Sequence, residues 1–88
     1  EVFARVVGAE GLSVALLAPQ PTALRRRVVR SAALSAGAPS SELFHEHVLA
    51  VDALLTDWRG QKWIDLPGHL RAVRRGDLVT FEPATPPA

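Results

Sequence analysis

Eighty-eight residues, 48% of them hydrophobic, with two Trp and no Cys, describe one small globular domain and exclude a disulfide framework or a thiolate metal site. A formal net charge of +1 hides three blocks: residues 11–41 hold four Arg and no acid, residues 42–57 hold four acids and no Lys or Arg, and residues 59–76 hold five cations against Asp65 alone. No apolar run reaches bilayer-spanning length and no signal peptide is visible, so the expectation is a cytoplasmic chain without a membrane partner. Because the sequence starts at Glu1 rather than Met, residues 1–88 are expected to be one domain excised from a longer protein.

Glu1–Val7 reads as a helix tail or a strand, and Gly8–Gly11 as a turn. Leu12–Val14 is a short extended piece, followed by one helical turn at Ala15–Ala18. Pro19 and Pro21 make a rigid bend. Thr22–Ala36 is predicted to be a helix, with Thr22 as its cap, Gly37 ending it and Pro39 preventing continuation. At about 100° per residue, Leu24, Val28, Ala32 and Ala36 form an apolar stripe, widened by Val29 and Ala33. Arg26, Arg27 and Arg30 fall on the opposite arc, while Arg25 lies beside the stripe with its stem along the core edge. Arginines in the first turns oppose the helix dipole by about 0.3–1 kcal/mol each when exposed, so stability alone does not place them there. Guanidinium forks around a helix start suit a phosphate, although a charged run is also the ordinary composition of a solvated face.

A second helix is predicted over about 41–58, capped by Ser40 or Ser41. Leu43, Phe44, His47, Val48, Val51, Leu54, Leu55 and Trp58 share an arc of roughly 140°, leaving His45, Asp52, Thr56 and Arg59 off that face and Leu49 as an apolar exception. The two helices should pack as an antiparallel pair. The period then becomes alternating: Lys62–Leu66 reads as a strand, Pro67-Gly68 as a type II turn, and Leu70–Arg75 with Leu78–Glu82 as a hairpin around Gly76-Asp77. That register sets Arg75 opposite Leu78, Arg74 opposite Val79, Val73 opposite Thr80, Ala72 opposite Phe81 and Arg71 opposite Glu82. Leu70, Ala72, Val79 and Phe81 are expected against the helices, with Arg71 and Arg75 outward. Pro83–Ala88 is a Pro-rich tail. The fold class is therefore α+β: an antiparallel helix pair, about 22–36 and 41–58, followed by a small antiparallel β-meander, about 62–82.

Catalytic chemistry is not visible. His45 and His47 stand two apart on a helix, and zinc pairs on helices use i and i+4, so no metal site is expected; His47 reads as a core histidine. The serines show no nucleophile signature, and no glycine-rich phosphate loop occurs. Binding remains. Arg25, Arg26, Arg27 and Arg30 on the first helix, with Lys62, Arg71, Arg74 and Arg75 on the strands, can form a basic surface for a phosphate backbone, without base specificity. Trp63 suits base stacking, but a partly buried core aromatic is its more ordinary role.

Taken in order, Leu12-Ser13-Val14, Leu17, Pro21-Thr22-Ala23-Leu24-Arg25-Arg26-Arg27-Val28, then His47-Val48, Val51 and Leu54, then Leu66-Pro67-Gly68, Leu70, Arg74-Arg75, Leu78 and Phe81 resemble the substrate-binding domain of bacterial tRNA(Ile)-lysidine synthetases of actinobacterial type. The resemblance runs from about Leu12 to Phe81 and lies in the order and spacing of the segments. It implies a parent ligase that uses ATP and Mg²⁺ to adenylate the wobble cytidine of tRNA(Ile), after which lysine displaces AMP. It also implies an N-terminal catalytic domain with an SGGxDS-type loop, which this sequence lacks. The fragment would then be non-catalytic and bind no cofactor itself. Contact with the tRNA carries over to Arg25, Arg26 and Arg27 and to Arg74 and Arg75, and His47 carries over as structural. Pro19, Gln20, Thr22 and Ser13 depart from the usual residues, although Ser13 can still cap the helix that follows it. The alternative is a protein-docking or interdomain module whose basic helix is internally paired with Glu42, Glu46, Asp52 and Asp57.

Overall fold

The computed structural model describes residues 7–8 and 11–84. A strand pair, β1 (Val7–Gly8) and β2 (Gly11–Ser13), leads into the one-turn helix α1 (Val14–Leu17). Two longer helices follow, α2 (Thr22–Ser35) and α3 (His45–Thr56), and then strands β3 (Ile64–Leu66), β4 (Leu70–Arg75) and β5 (Leu78–Pro83). The sheet is antiparallel throughout, in the order β1-β2-β5-β4-β3. The α+β class and the order of helices and strands agree with the sequence reading.

The hairpin has the expected register, from Arg75↔Leu78 to Arg71↔Glu82. Gly76 takes φ 59 and Asp77 does not share a positive φ, which is the arrangement of a two-residue loop with glycine first. The β3–β4 turn spans three residues, because Leu66 pairs with Leu70 and both Gly68 (φ 81) and His69 (φ 56) are left-handed. The meander also extends beyond its expected three strands: Leu12 pairs with Val79 and Ser13 with Leu78. Gly11 permits that approach, since a Cβ there would stand 2.5 Å from the Val79 carbonyl oxygen. At Val7 the structure is a strand paired with Leu12; the rest of the expected N-terminal helix tail and residues 85–88 of the tail lie outside the described residues.

The starts of both helices and the end of α3 differ from the sequence reading, while Gly37 closes α2 as expected. Thr22 is the first helical residue of α2 rather than its cap; Pro21 precedes it and supplies no side-chain bond. At the other end, Ala38 N–H donates to Ala33 O and Gly37 N–H to Leu34 O, both at 3.1 Å, with Gly37 at φ 118, a Schellman closure. Helix α3 starts later than predicted and ends at Thr56. The Pro39 carbonyl accepts from both Glu42 and Leu43, so the linker folds into a turn and neither Ser40 nor Ser41 caps. His47 does so instead: its Nδ1 accepts from the Phe44 N–H at 2.9 Å, and its ring stacks on Phe44. The residue read as a core histidine is thus a helix-start acceptor. Ser13 caps α1 as its chemistry suggests, accepting from Leu16 N–H at 3.3 Å.

The core lies between the helix pair and one face of the sheet. Leu12, Leu17, Val29, Val51, Leu54 and Val79 are its largest fully enclosed side chains. Leu70, Ala72 and Val79 join it as expected, and Phe81 packs at its margin. Arg25 meets Asp52 while Arg30 meets Leu43, contacts that run in opposite directions along the two helices and define an antiparallel pair.

Candidate nucleic-acid interface

The four arginines of α2 have three different fates. Arg25, beside the apolar stripe, is 8% exposed and closes on Asp52, which is 3% exposed. Its Nε and Nη2 donate to the two carboxylate oxygens, the latter at 2.9 Å, and its Nη1 donates to the Gln20 carbonyl at 3.1 Å. This is the bidentate fork geometry that makes Arg–carboxylate pairs specific. Arg25 therefore holds the two helices together, and its guanidinium is not on the surface assigned to it by the sequence.

Arg26 is intermediate. Its Nε donates to the same Asp52 carboxylate at 3.1 Å, while 38% of its side chain stays exposed. Two guanidinium groups on one carboxylate leave one positive charge in excess. Burial acts to raise the Asp52 pKa, but the hydrogen bonds and charges of Arg25 and Arg26 outweigh it and hold the carboxyl below its ordinary range. The hydrogen bond to Asp52 raises Arg25 in turn. Asp52, read from sequence as lying off the apolar face, is the buried centre of the helix interface. The available signal was that Arg25 and Asp52 both flank an apolar stripe, with opposite charge, on helices expected to be antiparallel.

Arg27 and Arg30 are exposed. Among the described residues no carboxylate lies within ion-pair distance of either; Arg30 donates to the Leu43 carbonyl at 3.1 Å. The internally paired helix of the alternative reading is met at Asp52 alone. Asp57 pairs instead with Arg59 at 3.2 Å, and Glu42 and Glu46 are exposed.

The strand cations are mostly engaged within the fold. Arg74 donates through Nη1 to Leu54 O at 2.7 Å and through Nε to Gly76 O at 2.9 Å, and it covers Trp58 at 4.5 Å. Leu54 lies in the last turn of α3, so Arg74 caps a carbonyl end where positive charge is favoured. Arg75 pairs with Glu82 across the hairpin; that hydrogen bond, with a second from Thr80, holds the Glu82 carboxyl below its ordinary range. Glu82 thus meets Arg75 rather than Arg71, its directly opposed residue. Arg71 donates to Ala84 O at 2.7 Å and lies over Trp63 at 4.1 Å. Lys62 is exposed, just before β3, with no ion pair among the described residues. Both tryptophans are exposed, Trp58 by 42% and Trp63 by 43%, contrary to the stripe and core roles expected of them. Among the described residues no group of three or more His, Asp or Glu is placed to hold a metal ion, and no helix is long and apolar enough to cross a membrane.

The structure thus brings Arg26, Arg27 and Arg30 together as an outward basic arc, sets Arg25 inside, and places Arg71 and Arg74 over two exposed indoles, with Arg75 on Glu82. Comparison with known proteins connects this geometry to a family. The profile of the TilS substrate-binding domain matches residues 12–79. The chain is 53% identical to the tRNA(Ile)-lysidine synthase of Streptomyces coelicolor over 71 residues, 81% of this chain and 20% of that protein. It is 49% identical to that of Thermobifida fusca over 72 residues, 82% of this chain and 22% of that protein. With that of Mycobacterium leprae the identity is 35% over 74 residues, 84% of this chain and 22% of that protein. The chain spans about a fifth of the length of these curated relatives. No solved structure matches.

Proposed function

The chain belongs to the TilS substrate-binding domain family, and on that premise we propose that it grips tRNA(Ile) for a tRNA(Ile)-lysidine synthase. The reacting atoms are handled by a catalytic domain of the same parent chain, in the cytoplasm. That domain uses ATP and Mg²⁺ to activate the wobble cytidine and ligates lysine to it. The single observation that carries this reading is the outward arc of α2. Arg27 and Arg30 face solvent without a carboxylate among the described residues, beside an Arg26 only half-neutralised through Asp52. Clustered, uncompensated guanidinium groups suit a phosphate backbone, and their attraction falls with salt as counterions are no longer released to advantage.

The 88-residue chain should bind an isoleucine tRNA transcript with an affinity that drops steeply between 50 and 200 mM salt, values of the order used to read such slopes. R27A should weaken binding across RNA sequences and lower the salt slope by about 1, the expectation for one lost phosphate contact. Circular dichroism should be unchanged. If R27A and R30A both bind as the parent does with the same slope, the arc is not the gripping surface. The docking alternative is favoured by one observation, the buried Arg25–Asp52–Arg26 cluster; it predicts no salt-dependent RNA binding at all.

A further inference from the structure

The link between α3 and β3 has an organisation that a passive connection does not need. Trp58 donates its indole N–H to Gln61 O at 3.1 Å, and the Gln61 side-chain oxygen accepts from Arg59 N–H at 2.6 Å. The link is thereby latched into one shape that presents Lys62 and Trp63. Continuing the β3–β4 register by one residue beyond Ile64↔Ala72 sets Trp63 across from Val73, on the sheet face away from the helices. Val73 is buried there although it lies outside the core shared by helices and sheet.

Trp63 carries a guanidinium on its ring. The Arg71 guanidinium covers its ring at 4.1 Å and is itself fixed by the 2.7 Å bond to Ala84 O. The Arg71 Nε is buried without an acceptor, the lone such side-chain atom among the described residues. What remains of Trp63 is 43% exposed, in a small domain whose enclosed core is made of Leu and Val. A Trp is rarely enclosed completely but is highly buried on average. Unlike Trp58, whose indole N–H is engaged in the latch, Trp63 has no hydrogen-bond partner among the described residues.

We infer that Trp63 is a stacking platform for an unpaired base of the bound RNA, with Lys62 on the adjoining phosphate. The inference rests on the tRNA-gripping reading and adds a second contact of different chemistry. The occupant follows from the charge and the ring together. Glu82 is taken up by Arg75 and Asp57 by Arg59, Asp65 stands across from Arg71, and Lys62, next to Trp63 in the chain, makes no ion pair among the described residues. A base offers a π-face and an anion one bond away, and an aromatic ring with a cation on its far side is a sequence-tolerant base platform. Because Arg71 and the latch already fix the ring, little side-chain freedom is lost on stacking.

The chain contains two Trp and no Tyr, so its intrinsic emission reports on this link. W58F retains Trp63 as the sole fluorophore but removes the indole N–H of the latch, so the parent is titrated beside it. On titration with an isoleucine tRNA transcript, the W58F emission should be quenched in step with binding measured independently by anisotropy. A blunt RNA duplex without unpaired nucleotides should bind through α2 and quench little. W63A should weaken tRNA binding by roughly 5- to 100-fold, the range for a lost base–aromatic stack, without changing the salt slope. W63F should recover most of the affinity, and K62A should lower the slope by about 1. Unchanged emission of both W58F and the parent on saturation with tRNA, or parental affinity in W63A while R27A is weakened, overturns the platform and leaves the tRNA-gripping reading intact. Absence of tRNA binding by the parent chain overturns both.

Discussion

Two ion pairs of this chain, one between the long helices and one within the hairpin, differ in almost everything except their chemistry. Arg25 and Asp52 meet across the two long helices with neither residue more than 8% exposed, and their fork is completed by Gln20 O and Arg26. Arg75 and Glu82 meet across the hairpin with the Arg75 side chain exposed and that of Glu82 half-buried. In the first, the partners have been taken out of water, so removal of either leaves a charge without hydration. In the second, water replaces a lost partner. The sequence neighbours Arg25, Arg26 and Arg27 repeat the contrast within one helical turn, from buried fork to half-neutralised fork to free cation. Charge at a position therefore says little about its use until its access to water is known.

The largest expected effect follows from the buried pair. D52A should cost about 3–5 kcal/mol of unfolding free energy, because it strands the buried Arg25 guanidinium, and R25A should cost less, because Arg26 stays on Asp52, as read from urea denaturation at neutral pH. The double replacement R25M/D52L should recover a large part of that loss. If the single variants unfold with the parent's midpoint, the pair is solvated and the comparison collapses. The same pair gives the domain an acid limit. The folded Asp52 pKa lies below its unfolded value near 3.9, so its contribution is complete above about pH 4 and is lost as pH falls through the folded value. Denaturation midpoints measured from pH 5 down to pH 2 should show this loss in the parent and a shallower one in D52N.

An intermediate effect is expected at Arg74, which is charged and partly buried but bonded only to carbonyls. R74A removes charge-assisted hydrogen bonds to Leu54 O and Gly76 O and should cost about 1.5–3 kcal/mol. R27A, by contrast, should stay within about ±0.5 kcal/mol, as surface substitutions usually do. Measured side by side, the two separate arginines that build the domain from an arginine kept for a partner. A stability loss in R27A equal to that in R74A would remove the distinction.

How far such distinctions are legible in the sequence depends on how local their causes are. The β4–β5 register was legible because Gly76-Asp77 fixes it within two residues. The Gly37 helix end and the Ser13 cap were legible for the same reason. The start of α3 was not, because two N–H groups converge on Pro39 O and a histidine replaces serine as acceptor, and neither follows from a propensity. Leu12 was read as extended, but its pairing with Val79 joins residues far apart in the chain. The outward arc at Arg26, Arg27 and Arg30 followed from helical angle alone. The burial of Arg25 required knowing that Asp52 stands opposite it, and the exposure of Trp63 required knowing that β3 is an edge strand.

The smallest effect is expected at the exposed pair, and it sharpens the comparison most because almost nothing should happen. Glu82 accepts hydrogen bonds from Arg75 and from Thr80, so its carboxyl should titrate below the ordinary glutamate range by side-chain NMR, and R75Q should return it toward that range. The sign is that of Asp52: whatever this pair contributes is present at neutral pH and fades on acidification. Yet E82Q should leave the urea midpoint at pH 7 where it was, because exposed ion pairs gain little over their hydrated partners. A depressed carboxylate with no loss of stability on its removal would show that a pKa shift marks a neighbour, whereas burial decides what the neighbour is worth. A large loss in E82Q would mean that the hairpin, like the helix interface, is held by its charges.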